Sequence, residues 1–227
     1  MTKAYHRSHQ LIKKHVNAGP NDVILTAGYG MTAVINKLMR ILSLKGCGGG
    51  NRDCVKKAER PVVFITHMEH HSNHTSWFET IADVVMIEPD EQLQVDLDDL
   101  RAKVSSRTRA MVIINPNNPS GAVYDRETLE QIADIAAESG IIVLADEIYD
   151  QMVYDDAEFI PFATLAGERV VCLTYSGLSK VYRACGYRVG WCVFGGDIER
   201  ARDYIHGMEL LAALRLCSNV PGQWAVQ

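Results

Sequence analysis

Val170-Val-Cys-Leu-Thr-Tyr-Ser-Gly-Leu-Ser-Lys180 is an unbroken apolar run that ends in two small hydroxyl residues and a lysine. The chain then continues Val181-Tyr-Arg-Ala-Cys-Gly-Tyr-Arg-Val-Gly-Trp191, which brings Arg188 eight residues past the lysine. A run that is apolar throughout, with no polar alternation, reads as a strand covered on both faces. A lysine at the end of such a strand is out of place in a core, because burying an ammonium is costly. It has two readings. One is a lysine on a solvated turn, the usual situation for this residue type. The other is an amine nucleophile whose pKa is lowered by desolvation. Ser176, Ser179 and Arg188 are suited to an anion such as a phosphate.

The same type of run recurs along the chain. Strands are expected at 23–27, 62–66, 84–87, 110–114, 141–145, 170–175 and 188–194. Helical patterns fall between them, at 2–17, 34–44, 67–81, 97–104, 126–139 and 198–216, with Gly140 placed to end the fifth. Strands alternating with helices, the strands apolar on both faces, specify a mostly parallel seven-stranded sheet in a three-layer α/β/α fold. No repeat, low-complexity segment or linker divides residues 1–227, so one domain is expected.

Composition narrows the function. Of 227 residues 47% are hydrophobic, enough for a large core. A net charge of −5 and a pI near 5.9 argue against a nucleic-acid binder, which needs a basic patch. No apolar stretch approaches a membrane span, and residues 1–10 lack the apolar core of a signal peptide. The six cysteines are scattered, and those in apolar patterns behave as small hydrophobes. Cys47 and Cys54 bracket a Gly-rich loop and could pair or bind metal, but no second ligand pair has zinc spacing. A reduced, cytoplasmic protein is the expectation.

In open α/β sheets ligands bind beyond the carboxyl ends of the strands, and the distinctive polar residues fall at such ends. Gly28-Tyr-Gly-Met-Thr32 opens a helix after the first strand. The free N–H groups of Gly30 and Met31, the helix dipole and the Thr32 hydroxyl suit a phosphate; the alternative is a glycine turn with Thr32 as helix cap. Glu69-His-His-Ser-Asn73 follows the second strand, and His70 there is either a loop residue or a ring that stacks on an aromatic ligand. Only His67 and His74 are near as further metal ligands, so no metal is assigned. Asn118 lies in the turn Asn118-Pro-Ser-Gly121 after the fourth strand. Asp146 and Tyr149 follow the fifth, spaced as one helical turn, although Asp146 alone reads equally as a cap.

Taken together these residues ask for one ligand. It has a basic ring nitrogen for Asp146, a ring oxygen for Asn118 and Tyr149, a phosphate for Thr32, Ser179 and Arg188, and an aldehyde for Lys180. Pyridoxal 5'-phosphate meets all four requirements.

From Leu97 to Gln227 the chain resembles the large domain of the aspartate aminotransferase superfamily, the fold type I pyridoxal-phosphate enzymes. Asn115-Pro-Asn-Asn-Pro-Ser-Gly121, Ala145-Asp-Glu-Ile-Tyr-Asp150, Ser176-Gly-Leu-Ser-Lys180 and Gly186-Tyr-Arg-Val-Gly-Trp191 look like the class I bacterial alanine aminotransferases. Residues 1–95, with Gly28-Tyr-Gly-Met-Thr32 and Glu69-His-His-Ser-Asn73, are similar instead to class V enzymes of the cysteine-desulfurase type. The resemblance implies Lys180 as the internal aldimine and catalytic acid/base, Asp146 on the ring nitrogen, and Asn118 and Tyr149 on the ring oxygen. It implies Arg188 and Thr32 on the phosphate and His70 stacked on the ring. It also implies a homodimer acting on an amino acid of alanine type and a 2-oxo acid. The small domain such enzymes carry has no counterpart here, so the alternatives are a class V desulfurase or lyase, and a cofactor-binding domain without turnover.

Overall fold

Seven apolar segments form one sheet: β1 (Val23–Ala27), β2 (Val62–Thr66), β3 (Asp83–Ile87), β4 (Thr108–Ile114), β5 (Ile142–Asp146), β6 (Val171–Gly177) and β7 (Gly190–Gly196). Their spatial order is β1-β7-β6-β5-β4-β2-β3. In this computed structural model residues 2–27, 29–45, 54–214 and 218–227 are described. Gly28 of the glycine turn and Cys47, one of the two cysteines that bracket the Gly-rich loop, lie outside them.

β2 pairs in parallel with β3 and β4, and β4, β5 and β6 continue in parallel. β7 runs antiparallel to both β6 and β1, so it alone is inverted. The inversion has a consequence for the site. The start of β7 lies beside the carboxyl ends of the other six, so Arg188, just before it, reaches the ligand edge. The segment 188–194 expected as a strand is therefore shifted by two residues. Arg188 takes a left-handed φ of 52° at the end of a tight turn, and pairing begins at Gly190.

Helices cover both faces, as the continuous apolar strands require. On one face Leu173, Cys192 and Phe194 pack with Val34, Leu38 and Met39 of α2 (Met31–Ile41) and with Ile205 and Met208 of α7 (Ile198–Ala213). On the other, Phe64, Ile113 and Val143 pack with Leu100 of α4 (Leu97–Lys103) and with Leu129, Ile132 and Ala136 of α5 (Arg126–Ser139). Trp191 and Val193 join Ile12 of α1 (Thr2–His15) in a third, smaller cluster. Alternate residues of β7 thus serve opposite layers.

Local signals set most helix limits. Asp96, Asp125 and Asp197 each cap a helix start through a side-chain oxygen, and Gly140 ends α5 with a φ of 66°. α3 (His71–Phe78) is shorter than the expected 67–81, because His70 is extended and caps it. The segment after β5 is a turn, not a helix, so the helical spacing assumed for Asp146 and Tyr149 does not hold. Two short helices, α6 (Phe162–Ala166) and α8 (Val220–Ala225), had no clear periodic signal.

Candidate active site

The carboxyl end of β5 carries Asp146 into the interior, where it is 6% exposed. Asn73 of α3 donates from Nδ2 to its Oδ2 at 2.9 Å, and the Ile148 backbone N–H reaches Oδ1 at 3.3 Å. Burial pushes this carboxyl up to about 6, while the two donors and the charge of Lys180 pull the other way. Asp146 is thus mainly ionised at neutral pH, and it feels the lysine. Asn73 went unnoticed in the sequence. The available signal was its spacing of three residues from His70, which puts both on one side of a helix start.

Lys180 lies three residues past β6 and is exposed. Of the two readings of this lysine its exposure fits the solvated turn, because the chain bends over residues 178–180 as it leaves β6. Burial therefore does not distinguish this amine. Its neighbours do. Its Nζ stands 5.7 Å from the centre of the Tyr149 ring, and its charge acts on both Asp146 and His70. The Tyr149 phenol oxygen accepts a hydrogen bond from Asn118 Nδ2 at 2.7 Å, so these two residues meet directly. The Asn118 loop is braced from behind, since Asn117 Nδ2 donates to Met68 O and Tyr124 N to Asn115 Oδ1.

His70 caps α3. Its Nδ1 accepts from the Ser72 backbone N–H and faces the Ser72 hydroxyl at 2.6 Å. Partial burial, Lys180 and His71 all lower its pKa, which favours a neutral ring. Two other histidines of the segment are engaged elsewhere: His67 Nε2 meets Leu93 O, and His74 packs on Phe78. Among the described residues no group of acidic, histidine or cysteine side chains is arranged to hold a metal ion.

A second corner forms where α2 starts. Its cap is Gly30, with a φ of 73° and no side-chain hydrogen bond, so Thr32 is not the cap but the second residue of the helix. Gly30 N donates to Arg188 O at 2.8 Å, so the free Gly30 N–H expected from the sequence is already engaged, and the Met31 N–H and the Thr32 hydroxyl are left of that donor set. A Cβ on Gly30 would stand 2.8 Å from Arg188 Nη2, and one on Gly190 would stand 2.3 Å from Met31 N. Only glycines allow the arginine, the helix start and β7 to approach this closely. The corner thus offers an uncapped helix N-terminus with Met31 and Thr32, and an exposed guanidinium that also donates to Cys185 O at 3.0 Å. This donor set suits a phosphate. Ser176, buried opposite Trp191, and Ser179, half-buried, lie on the β6 side.

A buried carboxylate coupled to a lysine, a neutral histidine, an amide–phenol pair and a glycine-lined anion corner therefore share one edge of the sheet. Every residue expected from sequence lies on this edge. Pyridoxal phosphate fits them: Asp146 is a buried anion for a protonated ring nitrogen, and the cradle at Gly30 and Gly190 would be filled by any side chain.

Comparison with known proteins agrees. The sequence profile of aminotransferases of class I and II matches residues 15–226, running through both segments that looked different in sequence. Over 132 residues the chain is 54% identical to the glutamate-pyruvate aminotransferase AlaA of Escherichia coli, a match covering 58% of this chain and 32% of that protein. A crystal structure of an aminotransferase from Escherichia coli superposes with a TM-score of 0.82 at 37% identity, over 97% of this chain and 52% of the other. An alanine aminotransferase from Pyrococcus furiosus gives 0.79 at 28% identity, over 98% and 53%. The chain thus spans about half the length of these solved structures, and the curated match covers about a third of its relative.

Proposed function

The chain belongs to the aminotransferases of class I and II, and on that premise we propose that it moves an amino group between an amino acid of alanine type and a 2-oxo acid, using pyridoxal phosphate anchored covalently on Lys180. The observation that carries the reading is the convergence of Lys180, Asp146 and the Asn118–Tyr149 pair on one strand edge. The choice of alanine and pyruvate rests on the identity to AlaA.

The cofactor supplies an electron sink, a protonated ring that accepts charge from the substrate α-carbon. The chain's own residues do the rest. Asp146 keeps a negative charge at the ring-nitrogen position. Asn118 and Tyr149 hold the ring oxygen. His70 covers one face of the ring. Arg188, Thr32 and Met31 at the start of α2 would bind the phosphate in the space that Gly30 leaves open, flanked by Ser176 and Ser179. Lys180 would hold the cofactor, and its amine would serve as general acid and base for the proton at the substrate α-carbon. A homodimer and a cytoplasmic location accompany the reading; no helix among the described residues is long and apolar enough to cross a membrane.

The profile spanning 15–226 favours this reading over a class V desulfurase. The test is formation of pyruvate and glutamate from alanine and 2-oxoglutarate. Turnover above a Lys180→Ala control supports the proposal; none above it, in protein that traps the cofactor with borohydride, removes the assigned substrates.

A further inference from the structure

The floor of the site holds one more carboxyl group than cofactor binding requires. Glu69 ends the loop between β2 and α3, and its Oε1 accepts the His70 backbone N–H at 3.2 Å. Its Oε2 is shut off from solvent and has no hydrogen-bond partner. The Asn73 amide that donates to Asp146 also acts on Glu69, so one amide stands between two acids. Tyr124 OH and Thr66 Oγ1 lie buried beside Glu69 and act on each other, though neither makes a well-formed hydrogen bond. Buried polar atoms are nearly always paired. A buried carboxyl oxygen left without a donor marks a place where a proton can sit.

Two ionised carboxylates against one amide in a buried pocket are costly, so one of them takes up a proton. The donors decide which. Asp146 has the Asn73 amide at 2.9 Å, the Ile148 N–H and the field of Lys180. Glu69 has one long bond from His70 N. We propose that Glu69 is a positioning residue of the cofactor site, carrying a proton beside Asp146 and, through the shared Asn73 amide, keeping that carboxylate charged and fixed at the ring-nitrogen position. The proposal rests on the cofactor reading above.

Titration directions agree with the geometry. Burial first, then the charge of Asp146, pushes Glu69 up to about 8, against about 6 for Asp146. The groups facing Glu69 are Asp146 from β5, Asn73 and His70 from the start of α3, and Tyr124 from the segment before α5. Glu147 points elsewhere, accepting Phe162 N at 2.8 Å, but burial also pushes it up to about 8, so it must be silenced in any test.

The first measurement is infrared spectroscopy of cofactor-free Glu147→Gln protein. We expect the C=O band of a protonated carboxyl at pH 7, lost as the pH rises through about 8 and absent when Glu69→Gln is added. No such band at pH 7 overturns the proposal, and this arm stands even where the double variant does not fold. The second is absorbance of the bound cofactor between pH 6.5 and 9.5 in the same background. The Lys180–cofactor linkage titrates by itself, so the readout is the difference between the two proteins: a shifted absorbance curve in Glu69→Gln is expected, and superimposable curves overturn the proposal. Glu69→Ala should weaken cofactor binding about tenfold, with recovery in Glu69→Gln. Equal binding by Glu69→Ala and the parent overturns it as well. Failure of borohydride to trap the cofactor on Lys180 in the parent would instead break the cofactor reading and leave the infrared result standing.

Discussion

The floor and the rim of the site are built on opposite terms. On the floor Asp146, Asn73 and Tyr124 are 6%, 5% and 1% exposed, and polar groups are buried at a cost in solvation. On the rim Lys180, Arg188 and Thr32 stand in solvent. The floor is preorganised: its amide and backbone donors are already aimed at Asp146. The rim is ready for a ligand but invests little in its own packing. The difference teaches that stability and function separate by depth. Floor substitutions should change both folding and chemistry, whereas rim substitutions should change chemistry alone.

The strongest test of that division is Lys180→Ala. Transamination should fall by about 10⁴-fold or more, at the upper end of general acid–base effects, with no covalent adduct by mass spectrometry after borohydride. The melting temperature of the cofactor-free protein should be unchanged. Asp146→Asn probes the floor. It keeps the shape but removes the charge, so the rate should fall roughly 10²–10³-fold. The cofactor-free protein should melt no lower than the parent, since an unfavourably buried charge is gone; a clear drop in melting temperature would place Asp146 among the folding determinants. Arg188→Ala should weaken cofactor affinity about 10–100-fold, the value of one or two charged hydrogen bonds, again with little change in melting.

Gly190→Ala breaks the division from the other side. A Cβ there would stand 2.3 Å from Met31 N, so the start of α2 must shift. A loss of about 1–3 kcal/mol on denaturant unfolding is expected, together with weaker phosphate binding. Smallest is the effect of pH on stability. Glu147, held up to about 8, favours the folded state while protonated, so its contribution is full below its unfolded value and lost as the pH rises to about 8. His9 of α1, beside Thr26, is held down to about 4 by burial, so its contribution is full above its unfolded value near 6.5 and lost as the pH falls to about 4. Melting curves should show Glu147→Gln gaining on the parent progressively as the pH rises from 4.5 to about 8, and His9→Phe gaining as it falls from 6.5 to about 4.

Much of this was legible in the residues. The apolar runs marked all seven strands, because a strand buried on both faces has no polar position to interrupt it. Gly140 marked the end of α5. Asn118, Asp146, Tyr149 and Lys180 were found because each follows an apolar run directly or nearly so. The partnership of Asn73 with Asp146 was not legible, since it joins residues 73 positions apart through a helix start whose limits were misjudged. Glu69 was passed over for a similar reason. A glutamate in a polar segment looks solvated until Asp146, Asn73 and Tyr124 are brought against it.

The opening stretch shows where the boundary lies. That Val170 to Tyr175 is a buried strand, and that a hydroxyl-rich turn then presents a lysine, follows from side-chain chemistry along a few residues. That Arg188 returns to the same edge depends on β7 running against its neighbours, and the exposure of Lys180 depends on how the turn leaves the sheet. Local sequence encodes elements through periodicity and backbone preference. Strand direction and the company a carboxylate keeps are decided by which surfaces can be buried together, and those surfaces come from distant parts of the chain.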